Sequence, residues 1–157
     1  VLNDSVLVVS SQPKKINSSS GHALMDNHPY REARAAQAEE NMGRISRALK
    51  EGDFKSFAAT TEEEALSLHA MMLSSRPGYS LLKEATTEII DRIRSYRYST
   101  GTSVAFTLDA GPNLHLLYPT REKEKIRVWM NQQLKPLCEG EKMIHDFTGN
   151  GPQRLDK

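Results

Sequence analysis

Three consecutive helical segments between residues 30 and 98 constrain the fold more than any other feature of this sequence. Gly52 ends the first segment and Asp53 can cap the second. Pro77 and Gly78 separate the second from the third, which Gly101 stops. Helical spacing predicts the buried positions of the three segments: Ala35, Ala38, Met42, Ile45 and Leu49; Phe54, Phe57, Ala58, Thr61, Ala65, Leu68 and Met72; Leu82, Ala85, Ile89, Ile93 and Tyr96.

Short apolar or β-branched runs predict strands at residues 6–9, 103–108, 114–118 and 143–147. The second and third are close enough to form a hairpin. Thr120 is a candidate cap for a fourth helix, with Ile126, Trp129 or Met130, Gln133 and Leu137 on its buried side. The order β-α-α-α-β-β-α-β predicts an α+β fold with a ferredoxin-like antiparallel sheet, that is, βαββαβ with extra helices in the first crossover and helices on one face.

The length, charge and cysteine count of the chain narrow the class of protein. A length of 157 residues suits a single domain, 1–157, and the chain reads as a piece of a longer protein because it lacks an initiator methionine. With 21 Lys and Arg against 20 Asp and Glu, no broad field attracts nucleic acid or a membrane surface. No run approaches the roughly 20 apolar residues of a membrane span, which predicts a soluble chain. Cys138 is the single cysteine and cannot form an intrachain disulfide, which predicts a cytoplasmic location. The sequence leaves open whether the chain forms a homodimer.

The motif TLDAGPN, residues 107–113, follows the predicted second strand. A carboxylate at a strand's end, Asp109, could accept a proton or orient a hydroxyl, and Gly111 has no side chain to block the approach of a ligand. The same residue types are preferred in hairpin turns, so spacing alone favours a plain turn. A catalytic role and a turn are the two interpretations of this motif.

A second polar segment, KKINSSSGH at residues 14–22, carries ammonium groups, hydroxyls and a glycine that suit phosphate oxygens. It lacks the spacing of a P-loop, and a solvated loop is the simpler interpretation. The five histidines, at positions 22, 28, 69, 115 and 145, lack metal-ligand spacing, so no metal site is predicted. The acidic triplet at 62–64 is typical of a solvated helix face.

Four landmarks together resemble the diphosphomevalonate decarboxylase family of the GHMP kinase superfamily. They are VVSSQPKKINSSSGH, EALSLHAMML, FTLDAGPN and DFTGNGPQRL, and DAGPN, residues 109–113, is the most specific of them. The resemblance runs from about residue 6 to residue 155 and implies the carboxyl-terminal GHMP-type domain of a two-domain enzyme. His69 and Ala70 match a landmark that is interpreted as structural.

The resemblance implies an ATP-dependent lyase of isoprenoid biosynthesis and the mevalonate pathway, which converts mevalonate diphosphate to isopentenyl diphosphate, phosphate and CO2. Asp109 would orient or deprotonate the substrate's 3-hydroxyl, and Ala110 and Gly111 would adjoin the substrate. Ser18, Ser19 and Gly21 would line the diphosphate, although Ser19 and His22 depart from residues common in the family. ATP and Mg²⁺ would be held mainly by a preceding amino-terminal domain, without which this chain is expected to be inactive.

Two rival functions fit the same residues. A GHMP small-molecule kinase of the phosphomevalonate type would share the fold and release no CO2. A noncatalytic ligand-binding or assembly module would keep the fold without the chemistry. The complete DAGPN motif favours the decarboxylase, and a glycine- and serine-rich phosphate loop in the preceding part of the gene product would argue against the module.

Overall fold

A computed structural model describes residues 1–13, 26–149 and 151 of the chain. Four strands and four α-helices follow the predicted order: β1 (Leu2–Leu7), α1 (Arg31–Glu51), α2 (Phe54–Ser74), α3 (Glu84–Thr100), β2 (Ala105–Leu108), β3 (Leu114–Pro119), α4 (Lys123–Gln133) and β4 (Met143–Phe147). Short 3₁₀ turns flank α4. Among the described residues, no helix is both long enough and apolar enough to cross a membrane.

The four strands form one sheet in the order β2-β3-β1-β4, and every neighbouring pair is antiparallel. This is the ferredoxin-like arrangement, with three helices instead of one in the first crossover. The predicted α+β class and the β2–β3 hairpin are therefore confirmed. In that hairpin Leu108 pairs with Leu114, so residues 109–113 form the connecting loop.

The core lies on one face of the sheet, beneath α3 and α4. Ile89 and Ile93 of α3 and Ile126 and Met130 of α4 are fully buried in one cluster with the inward side chains of β1, β2 and β3. Tyr96 stacks on Trp129, with ring centroids 4.0 Å apart, and so joins the two helices. Gln133 was predicted on the buried side of α4 but is exposed, and Leu134 is buried instead, because the helix ends there.

Strand β1 begins earlier than the predicted residues 6–9, since two of its inward positions are polar. Asn3 donates to the Thr120 hydroxyl at 3.0 Å, and Ser5 lies 2.8 Å from both the Tyr118 hydroxyl and His145 Nδ1. These partners satisfy buried polar groups that an alternation of apolar and polar residues does not reveal. Thr120 is used in this way and begins a 3₁₀ turn, so its predicted role as the cap of α4 is wrong.

Helix α1 packs against α2, which in turn lies against the edge strand β2. The apolar stripe predicted for α1 is partly wrong, because Met42 and Leu49 are 66% and 59% exposed while Asn41 and Ala48 are buried. Asn41 donates to Glu64 of α2 at 2.9 Å, and Arg34 forms an ion pair with the same carboxylate. The interface between these helices is polar, so hydropathy alone misplaced the buried face.

The acidic triplet of α2 is also more buried than predicted. Glu62 is only 4% exposed and accepts two hydrogen bonds from Arg97 of α3, at 2.5 and 3.0 Å. Arg97 also donates to the Val104 carbonyl at 2.9 Å. A carboxylate in this position is stabilised by the planar, two-pronged guanidinium opposite it. The pair fixes α2 to α3 at the start of β2.

Candidate functional site

Asp109 directly follows the last residue of β2, and its side chain is exposed. The strand itself is buried through Phe106 and Leu108, which lie on the core face of the sheet. A short, well-packed strand therefore delivers an acid to the rim of the sheet. The sequence prediction that Asp109 ends a strand is confirmed, while its catalytic role remains a prediction.

His69 of α2 holds the backbone of Asp109 in place. Its Nε2 lies 3.0 Å from the Asp109 carbonyl oxygen, and because that oxygen only accepts, Nε2 must be the donor. His69 is 2% exposed, and its burial lowers the pKa of the imidazole even though the Asp109 carbonyl and charge act in the opposite direction. The sequence interpretation of His69 as a structural landmark did not identify this link to the motif.

The loop after Asp109 is a tight turn, as the simpler interpretation predicted. The Gly111 N–H donates to the Asp109 carbonyl at 2.7 Å, an i to i+2 hydrogen bond, and Gly111 is buried. The buried Thr86 hydroxyl of α3 donates to the Pro112 carbonyl at 2.8 Å. The turn and the functional interpretation are compatible, because the turn exposes the carboxylate while other elements fix its backbone.

Asn113 joins this loop to the segment that follows β1. Its amide oxygen accepts from the Ser10 N–H at 2.9 Å, and its amide nitrogen donates to the Ser10 carbonyl at 3.0 Å. Lys83 donates to the Ser10 hydroxyl at 2.8 Å. Ser11 donates twice to Glu139, at 2.7 and 2.8 Å, which lowers the pKa of that carboxyl. Sequence reasoning did not assign a role to Asn113, Ser10 or Lys83.

The sequence-predicted site residues divide into two groups. Asp109, Ala110 and Gly111 are adjacent at the rim of the sheet, with Ala110 half-buried. Ser18, Ser19 and Gly21 lie outside the described residues, as do Lys14 and Lys15. Ser10, four residues before that segment begins at Lys14, is hydrogen-bonded to Asn113 of the DAGPN loop.

The electrostatic setting of Asp109 includes His115 of β3, whose pKa is raised. The main cause is the hydrogen bond between His115 Nδ1 and Asp4 Oδ2, at 2.8 Å, and the charge of Asp109 acts in the same direction. Within the described ranges, His, Cys, Asp and Glu do not form a cluster of three that could hold a metal ion. A metal ion at this rim would need ligands from a bound phosphate or from another part of the protein.

Comparison with known proteins assigns the family. Residues 5–155 match the family described as the mevalonate 5-diphosphate decarboxylase C-terminal domain. The chain belongs to this family. The motif-based resemblance is thus confirmed, and the match covers both the DAGPN loop and the serine-rich segment.

Curated relatives and solved structures agree with this assignment. The human diphosphomevalonate decarboxylase is 34% identical over 111 residues, which are 69% of this chain and 28% of that protein. The Aspergillus fumigatus enzyme is 28% identical over 138 residues, 86% of this chain and 34% of its own length. A crystal structure of the Legionella pneumophila mevalonate diphosphate decarboxylase has a TM-score of 0.82 at 28% identity and covers 91% of this chain and 44% of that one. The C-terminal family domain thus spans less than half of these relatives.

Proposed function

We propose that this chain is the substrate-side domain of an ATP-dependent mevalonate diphosphate decarboxylase that has a second, preceding domain. The observation that carries the proposal is the exposed Asp109 carboxylate on a loop whose carbonyls accept hydrogen bonds from His69 and Thr86 and whose Asn113 side chain bonds to the Ser10 backbone. Family membership supports the choice of reaction. The coverage of 28% to 46% of the relatives supports a preceding domain.

Asp109 would act on the tertiary 3-hydroxyl of mevalonate diphosphate. Its carboxylate accepts the hydroxyl proton as the hydroxyl oxygen takes up a phosphoryl group, and the resulting C–O bond then breaks with loss of phosphate. The electron pair of the bond to the carboxylate carbon forms the alkene, and CO2 leaves. ATP supplies the phosphoryl group, and magnesium neutralises phosphate charge. Holding the backbone of the acid restricts where its carboxylate can lie relative to the substrate.

Ser18, Ser19 and Gly21 are proposed to contact the substrate diphosphate, with Ala110 and Gly111 beside the reacting carbon. The two hydrogen bonds between Asn113 and Ser10 support this proposal because they fix the chain beside the DAGPN loop four residues before the serine-rich segment begins. The Gly111 N–H is already used within the turn, so Gly111 would contribute close approach and not a hydrogen bond to substrate.

The preceding domain is proposed to hold most of the ATP and Mg²⁺. A solved structure with this fold, described as MDDEF in complex with MVAPP, AMPPCP and magnesium, is 19% identical with a TM-score of 0.80 and supports the fold alone. The predicted cytoplasmic location is part of this proposal, and the buried, unpaired Cys138 is consistent with it.

The test measures CO2 and phosphate released by the intact protein from carboxyl-labelled mevalonate diphosphate with ATP and Mg²⁺. We expect equal amounts of ADP, phosphate and CO2, and no turnover by residues 1–157 alone. ADP with a stable phosphorylated product and no CO2 would identify a kinase instead. Binding of mevalonate diphosphate without any turnover would favour the noncatalytic module.

A further inference from the structure

A second candidate site lies at the opposite end of β2 from Asp109. A cavity of about 690 Å³ opens between the first turns of α2, the last turns of α3 and the residues that lead into β2. Ser103 lines it, and Asp109 lies six positions further along a largely extended chain, roughly 20 Å away. The cavity is therefore separate from the site proposed above.

The floor of this cavity is apolar and its rim is basic. Phe54, Ala58 and Ala59 supply the apolar floor, and Lys55, Arg94 and Arg97 supply three cations. Of the described residues that line the cavity, none is acidic. A volume in this range suits a small organic ligand, and an apolar wall with a few placed charges is typical of such sites.

The three cations differ in how they are engaged. Arg97 is bound to Glu62 and to the Val104 carbonyl, so its guanidinium has a structural partner. Arg94 approaches Glu62 at 3.7 Å and lies over the Phe106 ring, 5.5 Å from its centroid. Lys55 interacts with the Asp53 carboxylate through its backbone N–H and through charge. Two carboxylates, Glu62 and Asp53, thus accompany three cations. The side chains of Lys55 and Arg94 do not donate a short hydrogen bond to another described side chain, so both can turn to a ligand.

A second cavity of the same volume has different charged residues in its lining. It lies between α1 and α2 and contains Arg34, but Glu40 and Glu63 also line it. The charged residues in its wall are one cation and two carboxylates, a net negative set, whereas the charged residues lining the first cavity are three cations. A net positive, partly enclosed apolar cavity favours an anion that also has an apolar body.

We propose that the cavity bounded by Phe54, Lys55, Ala59, Arg94 and Thr102 binds an amphipathic organic anion, that is, a phosphate or carboxylate group attached to a short apolar chain or ring. The anionic group contacts Lys55 and Arg94, and the apolar body packs on Phe54 and Ala59. The site is independent of the reaction proposed for Asp109.

The test uses calorimetric titration of the intact protein with hexyl phosphate, hexanol and inorganic phosphate. We expect saturable binding of hexyl phosphate and at least about 10-fold weaker binding of the other two probes. Hexanol lacks the anionic group, and inorganic phosphate lacks the apolar chain. K55Q and R94Q should each weaken hexyl phosphate binding about 10-fold. A59W should abolish it by filling the cavity.

Two control variants separate this proposal from others. Arg76→Gln removes an exposed charge at the far end of α2, about 30 Å from Lys55, and should leave binding unchanged. Asp109→Asn should also leave it unchanged, since a ligand that requires Asp109 would lie in the other site. Equal affinity for hexanol, loss of binding with Asp109→Asn alone, or binding unaffected by K55Q, R94Q and A59W would each overturn the proposal. Unfolding temperatures close to that of the parent protein would show that these surface variants are folded.

Discussion

At its Leu108 end, strand β2 leads into a turn whose backbone groups are held by side chains from other elements, whereas its Ala105 end borders a cavity with basic side chains. At the Leu108 end, His69 donates to the Asp109 carbonyl and Thr86 donates to the Pro112 carbonyl. The Asn113 side chain bonds to the Ser10 backbone, and the Asp109 side chain is exposed. At the second end the strong interaction joins two side chains, Glu62 and Arg97.

The difference suggests a division between positioning and stability. A turn whose backbone is fixed at several points presents a carboxylate with little freedom, as catalysis requires. A buried ion pair between two helices mainly orders the fold, and breaking it leaves an uncompensated charge. Substitutions at the Leu108 end should therefore change turnover, and those that break the Glu62–Arg97 pair at the Ala105 end should change folding.

Asp109→Asn in the intact protein should have the largest effect. Asparagine keeps the size and hydrogen-bonding shape but cannot accept the proton, so kcat should fall about 10²- to 10⁴-fold with little change in unfolding temperature. Asp91→Asn, at an exposed carboxylate of α3, is the matched control and should retain full activity. Near-normal turnover of the Asp109 variant would remove this residue from the mechanism.

Arg97→Gln should be the most destabilising of these substitutions. It leaves Glu62 buried with only the longer contact to Arg94, and we expect a loss of about 3 kcal/mol in the free energy of unfolding. Denaturant titration measures this loss, and kcat per folded molecule should stay close to that of the parent protein. A stable variant with low kcat would contradict the division between the two ends of β2.

Asn113→Ala should reduce both stability and substrate binding, each by a smaller amount than the two substitutions above. Loss of the two hydrogen bonds to Ser10 should lower the free energy of unfolding by about 1–3 kcal/mol. It should also raise KM for mevalonate diphosphate, because Ser10, which precedes the serine-rich segment, would no longer be held beside the DAGPN loop. Asn131→Ala, at an exposed position on α4, is the control. Unchanged KM would separate Ser10 from substrate binding.

His69→Gln tests the bond to the Asp109 carbonyl and should cost about 1 kcal/mol near pH 8. Burial lowers the pKa of His69 below its usual 6.5 in the folded state, so the unfolded state takes up a proton first. The parent protein should therefore lose stability as the pH falls below 6.5 and through the folded-state pKa. The His69→Gln variant should lose less stability than the parent protein over that pH interval. Parallel curves of unfolding free energy against pH would contradict the lowered pKa of His69.

His115→Gln should have the smallest effect and the opposite pH dependence. The bond to Asp4 raises the pKa of His115 above 6.5, so its contribution is fully present below that pH and is lost as the pH rises through the folded-state pKa. The pair is about one third exposed, so we expect a loss of about 0.5 kcal/mol at pH 5.5. At pH 9 the variant should match the parent protein in stability.

Much of the fold was predictable because the signals are local. Helical spacing, Gly52 and Gly101 in the left-handed conformation, and the Asp53 cap, whose side chain accepts from the Ser56 N–H at 3.1 Å, all act within a few residues. The hairpin was predicted for the same reason. The DAGPN motif identified the family because it is unusually specific, although spacing alone favoured only a turn.

The sequence by itself determined the order of elements, the position of Asp109 after a strand and the family. Only the tertiary structure decided that Asn3 and Ser5 are buried, which face of α1 is buried, and that His69 and Ser10 contact the DAGPN loop. Ser10 and Asn113 are 103 residues apart, so their contact depends on how β1 and β3 pair. Hydropathy reports whether a residue prefers water, but a buried polar residue is stable only where a distant partner satisfies its hydrogen bonds.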